Sequence, residues 1–154
     1  MTRRDTRTGL LPPLTAVLLF LFVAGAAAAA PPSSVSVEVG VVVASNKGAS
    51  IDPSLSSLRA KLQSMFNYSS YNLLDRMKRT LAVGETGEFV LPGGRSMRVT
   101  PAPAPGNKVR LAVQIMEGGK NLLTTTLGLS RGGMVLVGGP PHPSGVLILI
   151  ISAE

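Results

Sequence analysis

The chain has 154 residues with 15 Lys and Arg against 8 Asp and Glu, a net charge of +7, and neither cysteine nor tryptophan. Lack of cysteine excludes disulfides, thiolate nucleophiles, zinc–thiolate sites and iron–sulfur clusters, so burial alone must hold the fold together. The positive balance comes without a recognisable basic module studded with aromatics, which sets nucleic acid aside as a partner.

In chain order, residues 1–30 read as a signal peptide. A basic start carrying Arg3, Arg4 and Arg7 precedes the apolar run Leu14–Ala30, and Ala26–Ala30 offers several small-residue cleavage points. The alternative is an uncleaved anchor, for which Leu14–Ala30 is barely long enough to span a bilayer. Loss of Arg3, Arg4, Arg7 and Asp5 lowers the net charge from +7 to +5. It leaves residues 31–154 (about 124) for a single β-rich domain with one core.

The stretch VSVEVGVVVAS alternates, placing Val35, Val37, Val39, Val41 and Val43 on one face of a strand, with Ser34, Ser36, Glu38, Gly40, Val42 and Ala44 on the other. A helix is expected from Asp52 to Phe66. Asp52 suits the N-cap and Pro53 the first turn, while Leu55, Leu58, Leu62, Met65 and Phe66 make one apolar stripe that needs a sheet to cover. Tyr68–Val83 reads as an edge-like strand with Tyr71, Leu73, Met77, Leu81 and Val83 on one face, interrupted by Asp75 and Arg79; a second helix is the alternative. FVLP and RSMRVT form a hairpin around Gly93-Gly94, and PAPAPGN reads as a polyproline-like connector.

The next hairpin is the clearest in the chain. Val109, Leu111, Val113 and Ile115 alternate with polar or small residues, Gly118-Gly119 suits a two-residue turn, and Leu123, Thr125, Leu127 and Leu129 share the returning face. A short strand, MVLV, and a loop, GGPPHPSG, follow. VLILIIS is apolar on both faces and so belongs in the middle of a sheet. The fold class is therefore α+β, mostly β: an antiparallel sheet or sandwich with one principal helix packed on it.

No motif in this chain carries recognisable catalysis. Gly133 to Gly138 has the outer frame of a phosphate-binding loop, but Gly139 and Pro140 stand where Lys and Ser or Thr are needed, so nucleotide binding is not expected. His142, the only histidine, lies among Pro140, Pro141 and Pro143 and reads as a loop residue rather than a general base. No catalytic, cofactor-binding or metal-ligating residue is assigned, and no cofactor is expected. The dense cations Arg76, Lys78 and Arg79 are the candidates for contact with an anionic membrane surface.

The order of segments VSVEVGVVVAS, a helix, YNLLDRMKRTLAVGETGEFVLPGG, RSMRVTPAP, VRLAVQI, TTTLGLSRGGMVLVGG and VLILIIS resembles the core β-domain of bacterial secretins, the outer-membrane rings of secretion and pilus systems. The segment Thr126–Gly139 resembles a threonine-to-double-glycine stretch near the end of that core. The likeness spans about Val35 to Ser152 in truncated form. The proline- and glycine-rich segment shrinks to PPHPS, long membrane-inserting hairpins have no room, and the N-terminal periplasmic modules are missing. What the resemblance implies is a secretin-like β-domain with an added helix, without pore formation.

The leading expectation is an exported, non-enzymatic domain of the periplasm, outer membrane or extracellular space, engaging a protein or polysaccharide partner of the envelope. One alternative is a small cofactor-free hydrolase or lyase using Arg and Asp75 with Glu85 or Glu88. Another is a membrane-tethered assembly factor that keeps its N-terminal segment.

Overall fold

The computed structural model describes residues 33–154; the signal-peptide reading of residues 1–30 lies outside them. Among the described residues no helix is long and apolar enough to cross a membrane. Eight strands form two antiparallel four-stranded sheets. In chain order the strands are β1 (Ser34–Ser45), β2 (Ser70–Ala82), β3 (Gly87–Leu91), β4 (Arg95–Pro103), β5 (Lys108–Glu117), β6 (Lys120–Ser130), β7 (Gly133–His142) and β8 (Gly145–Ala153). One sheet runs β2-β1-β8-β7 and the other β3-β4-β5-β6. The choice left open between a single sheet and a sandwich falls to the sandwich.

The valine face of β1 fills the space between the sheets. Val35, Val37, Val39 and Val41 are essentially inaccessible there, with Leu147, Leu149 and Ile151 from β8 and Phe89, Met97, Val99, Leu111, Val113 and Ile115 from the facing sheet. β8 lies between β1 and β7 and is buried on both faces, as its unbroken apolar run requires. Its other side chains, Ile148 and Ile150, join Val42, Ala44, Leu55, Leu62, Tyr71 and Leu136 in a second core on the outer face of the same sheet. The helical segment covers only the part of that face where β1 turns from Ser36 and Glu38 to Gly40, Val42 and Ala44. The described residues thus form three layers: helix, sheet and sheet.

The helical segment begins as a 3-10 turn, Pro53–Leu58, and becomes α1 only at Arg59–Met65. Leu55 and Leu62 are fully buried, but Met65 is 51% exposed, a correction to the expected stripe. The helix stops at Met65, and Phe66 is already extended. Tyr71 completes the end instead. Its hydroxyl donates to the Phe66 carbonyl at 2.6 Å and lies 3.2 Å from that of Leu62, adding a side-chain contact to two carbonyls that already accept from the Tyr68 and Phe66 backbone N–H groups. Leu62→Ala should cost about 2–3 kcal/mol in urea titration, the low end for a buried leucine, because a seven-residue helix can settle inward.

At the other end of the segment, Asp52 caps the turn. The Ser54 hydroxyl and the Ser54 backbone N–H both donate to Asp52 Oδ1, at 2.6 and 2.9 Å, and hold this carboxyl below its ordinary pKa. A depressed carboxylate pKa stabilises the fold above the unfolded value, and the contribution fades as pH falls through the folded one. The wild-type urea midpoint should therefore drop towards that of Asp52→Asn as pH falls below the ordinary aspartate range. At neutral pH the wild type should be the more stable of the two.

Three further expectations change. β2 is an edge strand, as its charges suggested, but a bulge opposite Val41 and Val42 breaks its alternation. Tyr71 and Leu73 face the helix, whereas Met77 and Leu81 face the space between the sheets. The one shared face expected for these residues is thereby divided, since an extra residue in a strand reverses the side its successors point to. The segment PAPAPGN is not a connector throughout: β4 continues to Pro103, pairing Pro101 with Leu111 and Pro103 with Val109. Its prolines lie past Val99, the partner of Gly87 where β3 begins, so their missing N–H groups break no ladder on that side. Likewise GGPPHPSG is mostly strand. β7 reaches His142 along a free edge and turns through Pro143-Ser144 into Gly145.

Candidate interaction surface

The charged residues singled out above do not converge. Arg76 and Lys78 occupy the outer face of their sheet, paired with Glu38 at 3.5 Å and Glu154 at 3.3 Å in half-exposed ion pairs. Arg79 points to the opposite side, its guanidinium 5.8 Å from the centre of the Phe89 ring. Alternation along a strand, which sends neighbours to opposite faces, separates the three.

Asp75 accepts from the backbone N–H of Arg76, and Glu85 from that of Ala82. Asp75 and Ala82 are therefore separated by roughly 23 Å of strand, at about 3.3 Å per residue. Glu88 lies on the other sheet, 4.0 Å from Arg98. The Asp75 pairing with Glu85 or Glu88 that the enzyme alternative needs is not brought together. No cluster of three or more potential metal-ligating side chains occurs among the described residues. His142 Nδ1 accepts from the Ser144 backbone N–H at 3.1 Å, which places the imidazole within its own turn. Gly133–Gly138 is strand, with no helix N-terminus after it to face a phosphate.

What the fold does create is two unlike sides. Each side of the sandwich exposes one edge strand from each sheet. On the β2–β3 side the edges are guarded. β2 carries Asp75, Arg76, Lys78 and Arg79 and a bulge, β3 has only five residues, and Arg79 lies over Phe89. On the β6–β7 side there is no charged residue from Asn121 to Ser130, nor from Gly132 to Ser144. There Leu123 and Leu127 of β6 and Val135 and Val137 of β7 close the core only in part.

Near the start of β6 and the far end of β7, two bulges face one another. One lies at Leu122, opposite Ile115 and Met116; the other lies at Gly139-Pro140. Between them opens a cleft of about 210 Å³, lined by Ile115, Leu122, Leu123, Gly138, Gly139 and Pro140. Arg95 fixes the wall beside it, bonding Glu117 through Nε and the Pro141 carbonyl through Nη1, each at 2.8 Å. Alternation and glycine turns locate β5, β6 and the first part of β7 but not the cleft, whose wall at Gly138–Pro140 reads as loop. The signal present was the absence of charge across two successive strands.

No family model matches the chain, and no curated protein matches it. Among solved structures, the cryo-EM structure of the T2SS secretin XcpQ from Pseudomonas aeruginosa matches with 13% identity and a TM-score of 0.45. That match covers 81% of this chain and 59% of the XcpQ chain. It falls on the family whose core domain the sequence resembles.

Proposed function

We propose that this chain is an exported, non-enzymatic interaction domain of the cell envelope, and that it engages its partner through the β6–β7 side of the sandwich. The carrying observation is the contrast between the two sides. The same fold that guards β2 and β3 with charges, a bulge and a stacked arginine leaves β6 beyond Lys120, and all of β7, uncharged beside a partly open core. Solvated edges without such guards are sites of strand pairing and apolar contact. The three-part pattern of residues 1–30 supports export.

The test is co-purification of the full chain from envelope extracts, with N-terminal sequencing of the recovered product. A partner should be retained by the wild type and by Arg76→Ala with Lys78→Ala, and lost with Thr125→Lys, which puts a charge into the β6–β7 side. Loss with the Arg76 and Lys78 variants and retention with Thr125→Lys would replace this reading with contact to an anionic surface. Recovery of an intact Met1 would replace export and cleavage with a retained membrane anchor.

A further inference from the structure

Of the four sheet edges, β6 has the longest regular run without a guard, Leu123 to Ser130, against Gly133 to Gly138 on β7. β7 ends in a bulge with Pro140 and Pro141, β2 carries charges and a bulge, and β3 is five residues long. Beyond its bulge at Leu122, β6 runs from Leu123 to Ser130 without proline, charge or irregularity. Its backbone groups on the side away from β5 have no neighbouring strand. The uncharged run is bracketed by Lys120 and Arg131, both exposed and neither in an ion pair among the described residues. The inward side chains Leu123, Thr125, Leu127 and Leu129 alternate with the outward Thr124, Thr126, Gly128 and Ser130.

We infer that β6 receives an extended segment of a partner protein as an added strand, and that this segment is about ten residues long, with eight that are apolar at every second position and an acidic residue flanking them at each end. Resting on the reading of the β6–β7 side given above, the inference names the chemistry of the partner. Main-chain hydrogen bonds along an edge supply affinity without regard to sequence; alternate side chains supply selection. Inward residues of the added strand cover the open core beside Val135 and Val137, and one of them, at the Leu123 end, fills the cleft under Gly138–Pro140. Its outward residues continue the threonine face. Its acidic ends meet Lys120 and Arg131, and the closest approach of the charges steers the register.

A second copy of the chain fits this edge worse. A symmetric antiparallel pair centred on Leu123–Ser130 sets Arg131 of the second copy opposite Leu122, at the apolar cleft. A guanidinium there would lose water without gaining a carboxylate.

The probe is a synthetic ten-residue peptide, Glu-Val-Thr-Val-Thr-Val-Thr-Val-Thr-Glu. Its control has the same composition with the valines contiguous. Each is titrated into the isotope-labelled full chain, with amide shifts and hydrogen exchange as readouts. The alternating peptide should bind saturably, and should slow exchange of about every second amide between Leu123 and Ser130 by at least tenfold. The contiguous peptide should not. Thr125→Lys should abolish the effect while the chain stays folded at the titration temperature, and Lys120→Glu with Arg131→Glu should weaken binding at least tenfold at low salt. Equal binding of both peptides, protection at β2 or β3 instead, or a concentration-dependent dimer that already protects β6 would each overturn the inference. If the peptide fails while Thr125→Lys still abolishes envelope co-purification, the added-strand inference falls and the interaction side stands.

Discussion

Gly145→Ala is expected to destabilise the domain by about 3 kcal/mol or more, above the usual cost of overpacking, because what it strikes is backbone. Gly145 begins β8, and its φ of 152° is one that residues with a side chain rarely adopt. A methyl group there would drive into the carbonyl oxygen of Ala44 and come within 3.0 Å of both that carbonyl's carbon and Ser45 Cβ. Neither side can yield cheaply. The next residue, Val146, pairs with Ala44 in the ladder between β1 and β8, the two central strands of their sheet. Gly128→Ala is the matched control, since a methyl group on Gly128 meets nothing within 4 Å. That variant should stay within about 0.5 kcal/mol of the wild type. Urea titration of the pair checks both values; a Gly145→Ala loss below about 1 kcal/mol would mean that β1 and β8 can part without cost.

Phe89→Ala should cost about 4 kcal/mol by the same measurement, in the range for a large aromatic removed from a core. Phe89 is fully buried although it sits on β3, the short edge strand. It closes the sandwich on the guarded side, and the Arg79 guanidinium completes the closure from β2. Removing the ring leaves a cavity at the rim and a cation without its aromatic face, a contact worth about 0.5–1 kcal/mol at exposed sites. Phe89→Leu should recover more than half of the loss, because it refills most of the volume and restores no cation–ring contact. A loss below about 1.5 kcal/mol for Phe89→Ala would show that β3 is not docked on the core.

Strand assignments were legible where a single physical rule governed a segment. The valine alternation of β1, the two-faced apolar run of β8 and the Gly118-Gly119 turn are such cases. The turn glycines take φ values of 53° and 81°, which a two-residue hairpin demands and a side chain resists. The readings failed where a neighbour decided. Proline argues against strand, yet Pro101, Pro103, Pro140 and Pro141 all lie in strands, on margins where no partner wants their N–H. The Tyr71–Leu81 alternation is interrupted by a bulge that nothing in the local spelling announces, because the extra residue is defined only against β1.

By itself the sequence determined a cysteine-free, mostly β domain with one helical segment, the residues of its principal core, the start of that segment at Asp52-Pro53, and the absence of a phosphate-loop signature at Gly133–Gly139. Each of these follows from residue type and local period, which act over a few positions of chain. Only the tertiary structure decided that the strands divide into two sheets, that the helix covers one half of one outer face, and that Arg76 and Lys78 part from Arg79. It alone placed the uncharged runs of β6 and β7 together on one side with a cleft between their bulges. Those features depend on which strands become edges and which edges meet. That outcome is set by how two apolar faces close on each other across the whole chain, and no window of neighbouring residues contains it.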